Sequence, residues 1–129
     1  MHDKRALIEV VRRWADALDK GDTAAAFSLL ADDVLIVDDV PPFRWSGFRG
    51  AEEWLRLVTG TRERLNAGFS LAEPDKVEAD QNHAYLVFRG RLTISSGGNT
   101  HDIPGLVTFT LRRVESEWLI DTIVWSDRD

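Results

Sequence analysis

Apolar side chains recur at Leu7, Val10, Val11, Trp14 and Leu18, the three-and-four spacing that puts one stripe along an α-helix. Asp3 stands where an N-cap is needed, and Gly21 can end the helix in the left-handed conformation that other residues resist. Asp22 then caps a second, short helix running to about Ala31, with Ala26, Phe27, Leu29 and Leu30 turned to the same core. Residues 34–37 form a β-branched apolar run that stops at Asp38-Asp39, and Pro41-Pro42 blocks further ladder pairing. Gly47 and Gly50 flank a short extended piece, after which Trp54, Leu55, Leu57, Val58 and Leu65 predict a third helix ending near Gly68.

Beyond Phe69 the period changes. Extended stretches are expected at residues 70–79, 84–94, 102–114 and 118–124, separated by Asp80-Gln81-Asn82, by residues 95–99 and by residues 115–117. These separators are too short for parallel crossovers, so the strands should form an antiparallel meander. Helices first and a sheet afterwards predict a single α+β domain over residues 1–129, with a cone-shaped, curved antiparallel sheet packed on N-terminal helices. Such a sheet rests on its helices over part of one face and encloses a pocket with the remainder.

Composition narrows the chemistry. The chain has no cysteine, which excludes disulfides and thiolate chemistry and fits a reducing, cytoplasmic setting. Met1 to Arg5 lead directly into the amphipathic pattern, so neither a signal peptide nor a membrane partner is expected. Acidic residues outnumber basic ones 22 to 16, the net charge is −6, and no basic stripe suits a nucleic acid. His2, His83 and His101 lack metal-ligand spacing, so no metal or other cofactor is expected. His83 and His101 each begin a strand, where an imidazole is either solvated or available as an acid or base.

Val10-Val11-Arg12-Arg13-Trp14, Gly21-Asp22, Ala31-Asp32-Asp33 and Asp38 stand in an order and spacing that resembles the ketosteroid isomerase and SnoaL-like polyketide cyclase branch of the nuclear transport factor 2-like superfamily. The resemblance covers essentially the whole chain and implies the cystatin-like α+β roll. The signature is shared by isomerases, cyclases, dehydratases, epoxide hydrolases and non-enzymes, so it specifies the fold more closely than the reaction. In the isomerases an aspartate shuttles a proton while a tyrosine and a protonated aspartate hold the oxyanion. The resemblance assigns the base position to Asp38, which by its own context either ends a strand in a turn or accepts protons at the edge of a cavity. Asp39 should point away from the cavity by strand alternation.

Trp14 occupies the tyrosine position, where its indole is either a core aromatic or a weak donor to a carbonyl. The stretch matching the isomerase acid, residues 104–109, contains no acid, so steroid isomerisation is not expected. Trp14, Phe27, Trp54, Val107, Phe109 and Thr122 are the expected pocket residues around a small apolar ligand. In relatives the phase of the last strand that starts at its leading Trp faces inward, which turns Asp121 outward. Arg89 and Arg91 should form a basic outer face, and residues 41–45 either cover the pocket or fill the fold. Apolar residues in both phases of the last strands, Trp118 and Trp125 among them, predict a homodimer through the outer sheet face. Two function classes follow: an isomerase, cyclase or dehydratase needing no cofactor, or a non-catalytic ligand-binding or assembly domain.

Overall fold

The computed structural model describes residues 3–127, and His2 lies outside them. Helix α1 spans Lys4–Lys20 and buries Leu7, Val10, Val11 and Trp14 as its periodicity requires. The Asp3 carboxylate accepts hydrogen bonds from the Arg5 and Ala6 N–H groups, and Gly21 closes the helix at φ 75°. Helix α2, Thr23–Ser28, is capped by Asp22 but stops short of Ala31. Leu30 and Ala31 instead open strand β1, Leu30–Val37, where Leu30 pairs opposite Ile120 and is buried.

Strand β2, Arg44–Ser46, leads directly into helix α3, Gly47–Leu65, so Gly47 and Gly50 are helical rather than extended. A Cβ at Gly50 would lie 3.0 Å from the Trp45 carbonyl carbon, which shows how closely the helix doubles back on β2. Asn66, at φ 48°, ends α3 earlier than Gly68. Four long strands follow: β3 (Ala67–Ala79), β4 (His83–Ser96), β5 (Asn99–Val114) and β6 (Glu117–Asp127).

The curved, unclosed sheet has the order β2-β1-β6-β5-β4-β3, and the helices pack on its concave face. Strands β3 to β6 form the expected antiparallel meander. The β1–β6 pair is parallel, an addition to that expectation, since residues so far apart in sequence face no crossover-length limit.

One irregularity redirects the end of β6. Thr110 pairs with Thr122 and Leu111 with Ile120, leaving Asp121 unopposed in a β-bulge. The extra residue switches the alternation, so Ile120 faces inward before it while Ile123 and Trp125 face the concave side after it. Asp121 remains on the outer side as expected, accepting a hydrogen bond from Thr110. Trp125 is therefore not an outer-face residue, and Trp118 lies beneath the Arg113 guanidinium.

Gly105 shows how tightly the inner face closes: a Cβ there would meet Trp125 Cη2 at 2.5 Å and the Ser126 carbonyl oxygen at 2.7 Å. Gly105→Ala should therefore cost about 1–3 kcal/mol in urea unfolding, because neither the indole nor backbone can yield without moving β6. Gly60→Ala, with nothing within 4 Å of the added carbon, should be neutral or stabilising by up to about 1 kcal/mol through helix propensity.

Candidate functional site

Helix α3, the end of α1 and the concave face of the sheet enclose a cavity of about 260 Å³. Along α3, Trp54, Val58 and Arg62 recur every four residues and so present one face to it. Trp14 and Leu18 do the same from α1, and Phe69, Val107 and Trp125 contribute from the sheet. Most of the wall is apolar, with charged groups confined to a few positions.

Asp38 sits half-buried just beyond β1, at the cavity. Its Oδ2 accepts a 2.9 Å hydrogen bond from Trp54 Nε1, and its Oδ1 accepts one of 2.7 Å from the Asp39 backbone N–H. The Asp38 N–H donates to the Phe43 carbonyl, fixing the turn that carries the carboxylate. Each carboxylate oxygen has two acceptor sites, so these bonds orient the group without exhausting it.

Asp39 also borders the cavity, contrary to strand alternation, because β1 has already ended at Val37 and the chain is turning. Its carboxyl meets that of Asp127, whose Oδ1 accepts a 2.6 Å hydrogen bond from Trp125 Nε1. Partial burial, and next the Asp39 carboxyl, raise the Asp127 pKa above its ordinary value, with the indole N–H opposing them.

Trp14 is 1% exposed, and its Nε1 has no hydrogen-bond partner among the described residues. Its ring lies nearly parallel to Trp54 at 6.3 Å and edge-on to Phe109 at 5.4 Å. At the far end of the α3 face, Arg62 Nε is likewise buried and unpartnered among the described residues. Asp19, also lining the cavity, accepts from the Phe69 backbone N–H at 2.9 Å.

Of the residues expected to line the pocket, the structure brings Asp38, Trp14, Trp54 and Val107 together, and it sets three elsewhere. Phe27 packs on Phe48 at 4.7 Å, between α2 and the start of α3. Phe109 is fully buried behind Trp14 and against Phe88. Thr122 is turned outward by the bulge. Trp45 is buried and Phe43 is 54% exposed, and neither lines the cavity, although Val40 does.

Other candidates have structural duties. His83 donates its backbone N–H to Asp80 in an exposed turn, and Arg89 and Arg91 reach Asp75 and Asp102 on the outer side. Arg112 reaches Asp32, Asp33 and Asp121, so the Ala-Asp-Asp acids tie β1 to β5 rather than face the cavity. The hydrogen bond to Asp33, above all, raises the Arg112 pKa further. Among the described residues, no group of three or more histidines and carboxylates is arranged to hold a metal ion, and no helix is long and apolar enough to cross a membrane.

Sequence reading missed Asp39, Arg62 and Asp127. The 54/58/62 spacing held the signal for Arg62, whereas Asp127 depends on the bulge.

The sequence matches the SnoaL-like domain family over residues 11–115. The chain belongs to the SnoaL-like family. No curated protein matches this SnoaL-like domain significantly. Among solved structures, a protein of nuclear transport factor 2-like type with a cystatin-like fold from Novosphingobium aromaticivorans is similar at TM-score 0.86 and 16% identity, covering 98% of this chain and 82% of that one. A ketosteroid isomerase-like protein from Erwinia carotovora aligns at TM-score 0.80 and 17% identity, over 98% and 96% of the two chains. A candidate calcium/calmodulin-dependent protein kinase II association domain from Xanthomonas campestris aligns at 0.81 and 17%, over 99% and 89%. The SnoaL-like domain thus has the nuclear transport factor 2-like, cystatin-like fold.

The raised Asp127 pKa has a stability consequence. Folding favours its protonated form, so its contribution is present below the unfolded carboxylate range and is lost as pH rises through the higher folded pKa. Asp127→Asn, which keeps an acceptor for Trp125, should melt higher than wild type near neutral pH, with the gap closing in strong acid. Thermal melts across pH check this.

Proposed function

We propose that this SnoaL-like domain is a cofactor-independent enzyme that moves a proton on a small, largely apolar molecule, with Asp38 as the base. Isomerisation, cyclisation and dehydration share that step. The observation that carries the reading is the Asp38 carboxylate at an aromatic-walled cavity, held by Trp54 Nε1 and the Asp39 N–H. A base fixed beside a bound carbon acid needs no reorganisation when the proton is transferred. Residues 104–109 offer no acid, which argues against the steroid isomerase form of the chemistry.

The test is hydrogen–deuterium exchange at the carbons flanking the carbonyl of 2-tetralone, followed by proton NMR in deuterated buffer. Wild type should accelerate exchange, and Asp38→Asn should reduce that acceleration by about 100-fold or more, the usual scale of general-base catalysis. Asp39→Asn should do much less, because Asp38 is held by the backbone of Asp39 and not by its side chain. No acceleration by wild type, or equal acceleration by Asp38→Asn, would reject the base assignment.

A second reading, a binding or assembly domain, is favoured by the outer sheet face. Val37, Val87, Leu106 and Val124 lie half-covered there, and the Xanthomonas relative bears the name of an association domain. Both readings accommodate a homodimer through this face. Sedimentation velocity at micromolar concentration should show a dimer, and Val124→Lys should convert it to monomer without unfolding it.

A further inference from the structure

We propose that the cavity has two electrostatic poles and that Arg62 forms the anion-holding one. The ligand would then be an apolar ring molecule bearing a carboxylate, or an acid of similar shape, at the end opposite Asp38. This deepens the reading of the cavity as a ligand site and does not depend on catalysis.

The first observation is an unmet bond. Arg62 lines the cavity, yet its Nε is buried with no partner, and no carboxylate among the described residues lies within ion-pair distance of it. Arg12, Arg56, Arg89, Arg91 and Arg112 have such a partner on the surface, and of the other described arginines only Arg62 has a buried nitrogen left unpartnered. Asp19 also lines the cavity, but its Oδ1 accepts from the Phe69 N–H and it forms no ion pair with Arg62. A buried guanidinium donor left unpaired is costly, and an anionic oxygen arriving with the ligand would satisfy it.

The second observation is placement. Trp54, which holds Asp38, and Arg62 stand on one face of α3, and at the helical rise of about 1.5 Å per residue they are about 12 Å apart. Arg62 Nη1 reaches the end of α1, only 2.9 Å from where a Gly21 Cβ would be. Trp14, Val58 and Phe69 supply apolar wall between the poles, a span suited to two fused rings. Asp38, Asp39 and Asp127 repel an anion from their end, so charge alone would orient such a ligand.

Isothermal titration calorimetry with 2-naphthoate and its neutral isostere 2-naphthamide isolates the charge. Wild type should bind the carboxylate about ten-fold more tightly than the amide, the scale of one charge-assisted hydrogen bond. Arg62→Met should abolish that preference while leaving amide affinity within about two-fold, and Arg62→Lys should retain part of it. No preference in wild type, or an undiminished one in Arg62→Met, would overturn the proposal. If neither compound binds wild type, the ligand-site reading falls with it, whereas failure of 2-tetralone exchange alone leaves it standing. Should Arg62→Met not fold, the wild-type Arg62 Nε–H resonance decides the matter. A larger shift with naphthoate than with naphthamide supports the proposal, and equal shifts overturn it.

Discussion

Trp14 is the point on which the two long helices and the sheet converge. Its indole stacks on Trp54 from α3 and meets Phe109 and Phe69 from the sheet edge-on, so one side chain sets the separation of three layers. A fully buried aromatic contributes about 1.5–3 kcal/mol by removal from water, and here the same contact also determines where the layers cannot close. Beside the indole, residues of α1, α3 and the sheet line the cavity. The polar site hangs on this arrangement: Trp54 is held by the stack and its N–H holds Asp38.

The bulge at Asp121 is the second determinant, because it decides which side chains floor the cavity. Without it, Thr122 and Val124 would face inward and Trp125 would be solvated. With it, Trp125 packs over Gly105 and Gly90, and its N–H reaches Asp127. The indole requires glycine at 105, where a Cβ would overlap it, and leaves only a tight fit for one at Gly90.

The helices, the strand order from β3 to β6 and the position of Asp38 were legible because they follow from periodicity, caps and one strand end. What escaped was non-local. Thr122 was misplaced because alternation was carried through a bulge that a strand's own residues do not announce. Asp39 was turned the wrong way because alternation was extended past the end of β1. Phe27 and Phe109 were correctly apolar, but period alone does not separate a wall from the layer behind it. Arg62 lay on a readable helical face, and its lack of an ion-pair partner became visible only with the surrounding residues in place.

The parallel β1–β6 pair sets an order of events for the folding chain. Asp33 and Arg112, 79 residues apart, meet across it, and the acids of the site come from the exits of these same two strands. The meander from β3 to β5 can form from near neighbours, but β1 has no partner on its inner edge until β6 exists. Loop closure over most of the chain must therefore precede completion of the sheet, which is slow relative to local pairing. A nascent chain would carry its helices and hairpins while still lacking a site, so ligand competence would mark the last stage of folding.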